Sequence, residues 1–546
     1  MSSLAVILFF VGLMPLALIK PHVGVLAWVL SGLMNPHRLT GGAAYTFPFS
    51  MMIGGVTLLA VIANRKELRP LPWSPPLILL TAMVVWMNVT TVFSIMPDVA
   101  WPQWEKVMKI MVMTYVAFWT IHTRERVIAL TVVMAFAVGF YGIKGGIFTV
   151  LTGGQFMVVG PPLSLISGNT EVSLALTMIL PYFVWMRMML SNRLLRLAML
   201  GMTLAIAFAI VGSYSRGAFL AGGAMGFFLW LKSDKKIPVM IAIAVVVPVM
   251  MSFMPDKYHE KMSTIETYEE DKSALGRINA WWFAYHLAND HPLTGGGFNI
   301  FHPRMFLKYA PEPDDYHDAH SNYFQMLGHH GYPGLLLFLG VGLSTWLMVG
   351  RVARRSKNVE ELYWAHQLAR ITQVSIIGYA VGGAFLTLAY LDLFYYQVVI
   401  VLAMNRIVDE TLARTTETAA DAEASAAVGG RLRRGMRGSP PIVAPMPGMS
   451  PAPALALALA APGAGSARPG LPMARRAAGA EVRASARPFG GRRQRDAQDT
   501  DKPKKRGAFD LIAAALEVGS GAPIAKASEK ARPLAHRRGR AAGATK

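Results

Sequence analysis

The sequence predicts an all-α protein: a polytopic membrane helix bundle of about 12 transmembrane helices, with one large periplasmic loop and a disordered, basic C-terminal tail. Three observations lead there. Of the 546 residues, 53% are hydrophobic and only 16% are charged, where soluble domains carry about a quarter charged residues. Apolar runs succeed one another through residues 1–410 and almost vanish over 411–546, which divides the chain into a membrane body and a tail. The loops between the runs are basic in alternation.

Taken in order, runs long enough to cross a bilayer, or nearly so, occupy 45–63, 77–97, 107–121, 127–151, 170–190, 194–212, 217–231, 238–254, 332–350, 371–388 and 391–405. Ahead of them the apolar stretch 4–34 is interrupted by Lys20-Pro21. It reads as two short helices or one kinked one, for about 12 or 13 spans in all. The N-terminus has neither a basic flank nor a small-residue cleavage site, so it reads as a retained membrane segment.

Arg65, Lys66 and Arg69 lie in one loop, and Arg124 and Arg126 in the next but one. Arg187, Arg193 and Arg196, then Lys232, Lys235 and Lys236, then Arg351, Arg354, Arg355 and Lys357 continue the alternation. Cytoplasmic loops carry this bias, which makes the expected location a bacterial inner membrane with a cytoplasmic C-terminus. The same alternation puts residues 255–333 outside. That segment holds 11 acids, 6 bases and eight of the 13 histidines. Chemistry is expected there.

The net charge of +21 does not indicate nucleic acid. In the tail, clusters such as Arg431, Arg433, Arg434 and Arg437 are interleaved with Ala, Pro and Gly and have no aromatic platform. Such composition cannot bury enough surface to order itself, and a cytoplasmic polybasic tail is drawn to anionic lipids. There is no cysteine, hence no disulfide framework and no thiolate metal site.

Within 255–333, Ser273 can cap a helix running to about Asn289. Ile278, Trp281, Trp282 and Tyr285 share one aromatic face of that helix, as in a helix resting at the headgroups. Arg277 falls in its first turn, where a cation opposes the helix dipole but suits a bound phosphate. Arg216, in Gly212-Ser-Tyr-Ser-Arg-Gly217, sits at the external mouth of the bundle against the positive-inside bias. It is a functional candidate or an anchor that snorkels to headgroups. Lys144 and Glu171, in apolar helices, can pair with each other or line a wet cavity. Asp314, His317, Asp318 and His320 fall in one dense stretch. They allow a divalent-metal site or a hydrogen-bonding base cluster around His320, and no familiar zinc spacing is present.

These residues join into a resemblance. Gly276-Arg277, Trp281, His291-Pro-Leu-Thr-Gly-Gly-Gly297 and Phe301 resemble the first half of the external loop in the O-antigen ligase and polymerase superfamily. His320-Ser-Asn-Tyr-Phe, Gly331 and Gly334-Leu-Leu-Leu-Phe338 resemble the second half. Asn35-Pro-His-Arg-Leu39, Tyr141-Gly-Ile-Lys-Gly-Gly146 and Ser213-Tyr-Ser-Arg-Gly217 are similar to the branch of O-glycosylation ligases that accompany exosortase-A systems. The resemblance covers residues 1 to about 408. Gln325 and His329 stand where relatives tend to have acids, and Asn169-Thr-Glu171 stands where that branch tends to have Asn-Asn-Glu.

The resemblance implies a glycan ligase that uses an undecaprenyl-diphosphate-linked donor, with no nucleotide sugar, metal or cofactor, and with a protein or lipid acceptor. It assigns Arg216 and Arg277 to the diphosphate and His320 to the acceptor hydroxyl as general base or orienting group. Arg38, Lys144, Glu171 and Asn322 become candidate substrate-binding residues. A polymerase of lipid-linked glycan fits the same motifs. A transporter or flippase would call for inverted repeats and midplane charges, and no repeat is evident. A membrane scaffold would leave the histidines and external arginines without a role.

Overall fold

The computed structural model describes residues 3–40, 42–263 and 272–437. They form helices and loops, with no strand among the described residues. In chain order the α-helices are α1 (Ser3–Ile19), α2 (Pro21–Met34), α3 (Ala43–Thr46), α4 (Phe49–Ala63), α5 (Pro75–Val92), α6 (Pro97–Thr120), α7 (Arg124–Leu151), α8 (Asn169–Met189) and α9 (Arg193–Val211). Then follow α10 (Arg216–Lys232), α11 (Lys236–Ser252), α12 (Asp256–Ser263), α13 (Lys272–Asp290), α14 (Pro303–Tyr309), α15 (Asn322–Arg355), α16 (Tyr363–Gly382) and α17 (Asp392–Arg437).

Short polar side chains set several of the starts. Asn192 accepts hydrogen bonds from the Leu194 and Leu195 amides, Thr123 from Arg126 N–H, and Ser215 from Ala218 N–H. Each satisfies a donor that the first turn leaves open. Helix α8 lies at the heart of the body. Its apolar residues are buried nearly all round, with Tyr182, Phe183 and Trp185 fully enclosed. Helices α7 and α9 pack backbone to backbone, because a Cβ on Gly146 would collide with the Ala205 carbonyl. In lipid such association rests on close packing, which small residues allow. The expected Tyr141–Gly146 motif is therefore a helix seam, and Lys144 lies off it on an exposed position of α7.

Among the described residues, five helices are long and apolar enough to cross a membrane: α5, α7, α8, α9 and α15. The count is six if α11 and α12, bent by 113°, form one broken span. This is fewer than the about 12 expected, for identifiable reasons. Helices α1, α2 and α4 are apolar but short, and α1 and α2 break where Lys20 and Pro21 stand. Helix α6 carries Asp98, Glu105, Lys106 and Lys109.

Two boundaries differ from expectation. The apolar run 371–388 does not stay helical: α16 ends at Gly382, and residues 383–391 form a connection of turns and bends before α17. Helix α17 also continues past 410 to Arg437. Its Ala-rich stretch 412–428 has neither Gly nor Pro to stop a helix. The chain divides into two units, Met1–Val428 and Gly429–Lys546. The rest of the expected tail, from 438 onward, lies outside the described residues, as does 264–271 of the expected external loop.

Helix α15 is broken at Gly331, whose φ of 67° lies in the left-handed region, just ahead of Pro333. The carbonyls freed by the break find other donors. Gly328 O accepts from Gly296 N–H at 2.8 Å, His329 O from Gly297 N–H at 2.9 Å, and His330 O from the Trp86 indole at 3.0 Å. In return Tyr332 N–H donates to Pro292 O at 3.0 Å. The glycine-rich loop 292–297 is thus a plug for the kink, which accounts for its motif without assigning it any chemistry.

Candidate functional site

The segment 310–321, between α14 and α15, carries the densest chemistry and is held by α13. Asn279 donates to Glu312 O at 2.8 Å and Asp315 O at 2.9 Å, and it accepts from Glu312 N–H at 2.9 Å. Trp281 donates through its indole to Ala319 O at 2.8 Å and stacks on Phe324 with ring centres 5.0 Å apart. Trp281 therefore anchors this segment, and Trp282 and Tyr285 keep the exposed side of the expected aromatic face. Gly276 packs so closely on the His317 imidazole that a Cβ would overlap it. That contact sets the adjacent Arg277 beside the cluster.

His320 ends the segment. Its φ of 41° lies in the left-handed region, a strained state for a side-chain-bearing residue that surrounding contacts must hold. The ring is half-buried, and its Nδ1 is enclosed with no hydrogen-bond partner among the described residues. Burial lowers the His320 pKa first, and the Arg277 guanidinium lowers it further; Asp318 and Glu171 act in the opposite sense. At neutral pH the imidazole is accordingly uncharged, the form a general base needs. Asp318 reaches solvent at its rim, yet protein crowds its carboxyl, and the lost hydration raises its pKa. The two groups titrate as a pair. His317 turns aside to Asp315 at 2.9 Å.

Three further elements close on this cluster. Glu171 stands in the first turn of α8, its carboxylate accepting from the Thr170 hydroxyl at 2.9 Å and lying over Gly168. Two residues earlier, Asn169 donates to Ser213 O at 2.8 Å, which ties the turn leading to Arg216 against the start of α8. Arg216, half-buried, is the first residue of α10. The connection 383–391 runs between these parts. A Cβ on Gly217 would stand 2.9 Å from Phe385, and Thr387 faces Asp318.

The candidates do not all share one place. His320, Arg277 and Glu171 are brought together, with Asp318 added, and Arg216 joins through the Asn169–Ser213 bond. Asn322 is nearly fully buried and committed to backbone. Its amide oxygen accepts from Leu388 N–H at 2.5 Å, and its own N–H donates to Gly383 O at 2.7 Å. Asn322 therefore shapes the 383–391 connection. Arg38 stacks on the Tyr45 ring, 4.9 Å from its centre. No described contact joins Arg38 or Lys144 to the His320 cluster, and no ion pair links Lys144 with Glu171 among the described residues. Nor do three or more His, Asp or Glu side chains there converge in a way that could hold a metal ion.

Sequence reasoning passed over the 383–391 connection, because Phe385, Leu386, Leu388 and Leu391 read as span. Gly382-Gly383, with Thr387, Tyr390 and Asp392 inside the apolar run, was the available signal.

Residues 200–339 match the O-antigen ligase family, and residues 1–191 match a family of unknown function, DUF5935. No curated protein matches the chain. The first match contains Arg216, Arg277, Asp318 and His320; Glu171 comes from the second region. With the apolar helices, it supports a multi-pass membrane protein of O-antigen ligase or polymerase type that processes glycans.

Proposed function

We propose that the protein is a glycan ligase of the inner membrane. In this reading it transfers an oligo- or polysaccharide from undecaprenyl diphosphate to an acceptor hydroxyl, on protein or lipid, at the periplasmic face. The observation that carries this is the convergence of a neutral, strained His320 with Arg277, and with the turn bearing Arg216, inside the stretch matched to O-antigen ligases.

The chemistry follows from charge. His320 takes the proton of the acceptor hydroxyl as its oxygen bonds to the anomeric carbon. The bond from that carbon to the diphosphate oxygen breaks, and undecaprenyl diphosphate leaves with the electron pair. Arg216 and Arg277 meet the growing negative charge with planar, bidentate donors, so the charge stabilisation requires no metal. Attack opposite the leaving group inverts the anomeric centre.

An apolar groove of about 410 Å³ begins at Asn322 and Tyr323, beside the cluster, and runs along α15 past Phe338, Leu343 and Trp346. A groove whose lining starts two residues beyond His320 suits the isoprenoid chain of such a donor. The basic tail, in the same reading, lies against anionic lipid on the cytoplasmic side.

The direct test is transfer by purified protein in lipid nanodiscs, from undecaprenyl-diphosphate-linked glycan to a hydroxyl-bearing acceptor. A product that stays on undecaprenyl diphosphate and merely lengthens identifies a polymerase instead. The same assay reads the imidazole. Because His320 resists protonation, kcat/KM should hold down to pH 6.5, the ordinary histidine value, and fall only below it. Glu171→Gln removes an anion that favours the imidazolium, so it should move the acid limb to still lower pH. An acid limb above pH 6.5, or no movement in the variant, would disqualify His320 as the base.

Orientation is tested separately. A reporter fused after Ser233 or Lys357 is expected to read cytoplasmic, and one inserted near Glu270 periplasmic. A periplasmic signal at Lys357 would invert the topology and put the cluster on the wrong face.

A further inference from the structure

A polar cavity borders the end of the 383–391 connection, at Tyr390 and Leu391. It encloses about 440 Å³, within the size range of small-molecule sites. One face of α6 contributes Gln103 and Lys106, the loop before α8 contributes Ser164, and the end of α2 contributes Asn35. Ser50, Tyr390 and Asp392 supply the remaining polar wall. Asp392 is only 6% exposed and accepts from its own Leu393 N–H at 3.0 Å. Tyr390 is fixed, its hydroxyl 2.8 Å from His329 Nδ1 and 2.8 Å from His330 Nε2.

We propose that this cavity, lined by Asn35, Gln103, Lys106, Ser164, Tyr390 and Asp392, binds the saccharide portion of the lipid-linked donor. The inference rests on the ligase reading above and assigns the donor's sugar a place of its own. Amide, hydroxyl and carboxylate groups around one void match the paired donors and acceptors of a sugar ring, while the neighbouring groove on α15 is almost wholly apolar. Two short stretches of chain tie the cavity to the cluster. Ser164 leads to Glu171, and Asp392 follows Thr387 and Leu388, whose partners are Asp318 and Asn322. Each stretch spans eight residues or fewer, so a donor with its diphosphate near Arg216 and Arg277 has its first sugars within reach.

The test compares two lipids on wild-type protein in nanodiscs: bare undecaprenyl diphosphate, and undecaprenyl diphosphate bearing a neutral trisaccharide. The wild type is expected to bind the trisaccharide lipid on the order of tenfold more tightly, about one well-used polar contact. Gln103→Ala and Asp392→Asn should erase that difference and leave binding of the bare lipid unchanged. Asparagine retains the oxygen that caps Leu393, and Gln103 is only half-buried, so both variants keep the fold.

As a second measurement, Gln103→Cys provides the sole thiol in a chain without cysteine. Its labelling by a membrane-impermeant maleimide should slow with the trisaccharide lipid and not with the bare one. If the sugar adds no affinity, or adds the same in all variants, the cavity is not its site. If neither lipid binds and Arg216→Lys changes nothing, the ligase reading itself fails.

Discussion

His320→Ala, in protein that still reaches the membrane, is expected to lower transfer by about 10²–10⁴-fold, the usual contribution of a positioned base, while donor binding persists. Arg216→Lys and Arg277→Lys should behave differently. Lysine keeps the charge but loses the planar fork, so both donor affinity and turnover should fall. Truncating one partner of a desolvated charge contact costs about 2–5 kcal/mol, and the lysine variants belong at the lower end, roughly 30-fold in rate. The contrast between the residues carries the argument, since a merely misfolded protein would lose binding and turnover together in all three variants. Measurements therefore use nanodisc-inserted variants with matched thermal profiles, and they read donor binding separately from single-turnover transfer. Near wild-type transfer by His320→Ala or Arg216→Lys would mean that the chemistry lies elsewhere.

How far the site could be read from sequence depended on what each residue does locally. Arg277 stood out in the sequence as a first-turn cation behind a Ser273 cap, but α13 already includes Lys272, so Ser273 lies inside the helix and Arg277 in its second turn; what sets Arg277 apart in the structure is its place beside His320. His320 stood out by density of polar residues, but its strained backbone and enclosed Nδ1 are tertiary facts. Asn322 illustrates the opposite case: its neighbourhood suggested substrate, whereas its amide is spent on the Leu388 backbone. Lys144 looked costly in an apolar helix, yet the adjacent glycines, which form the α7–α9 seam, explain the motif it belongs to. The fold class was legible because apolar runs and composition need no partner to interpret. The 383–391 connection was not, because an apolar loop buried between helices has the composition of the helices that bury it.

Gly331→Ala should be strongly destabilising, although alanine is ordinarily the better helix former. At a φ of 67°, an L side chain costs about 1–2 kcal/mol. The added Cβ would also stand 2.5 Å from Leu293 O and 2.6 Å from Pro292 O, and such overpacking costs roughly 1–3 kcal/mol more. The two effects act on one point, the plug of loop 292–297 in the α15 break. Relief of the clash must pull that loop away from the Gly328 and His329 carbonyls, which then lose their donors in a buried setting. An apparent Tm in detergent lower by on the order of 5 °C is expected, with transfer activity reduced because α15 begins at the site. Gly342→Ala on the same helix is the control, since nothing lies within 4 Å of its Cβ position. That substitution should leave the apparent Tm unchanged or raise it. Equal behaviour of the two variants would show that the break at Gly331 is an ordinary bend, with no role in holding the glycine-rich loop or the cluster beyond it.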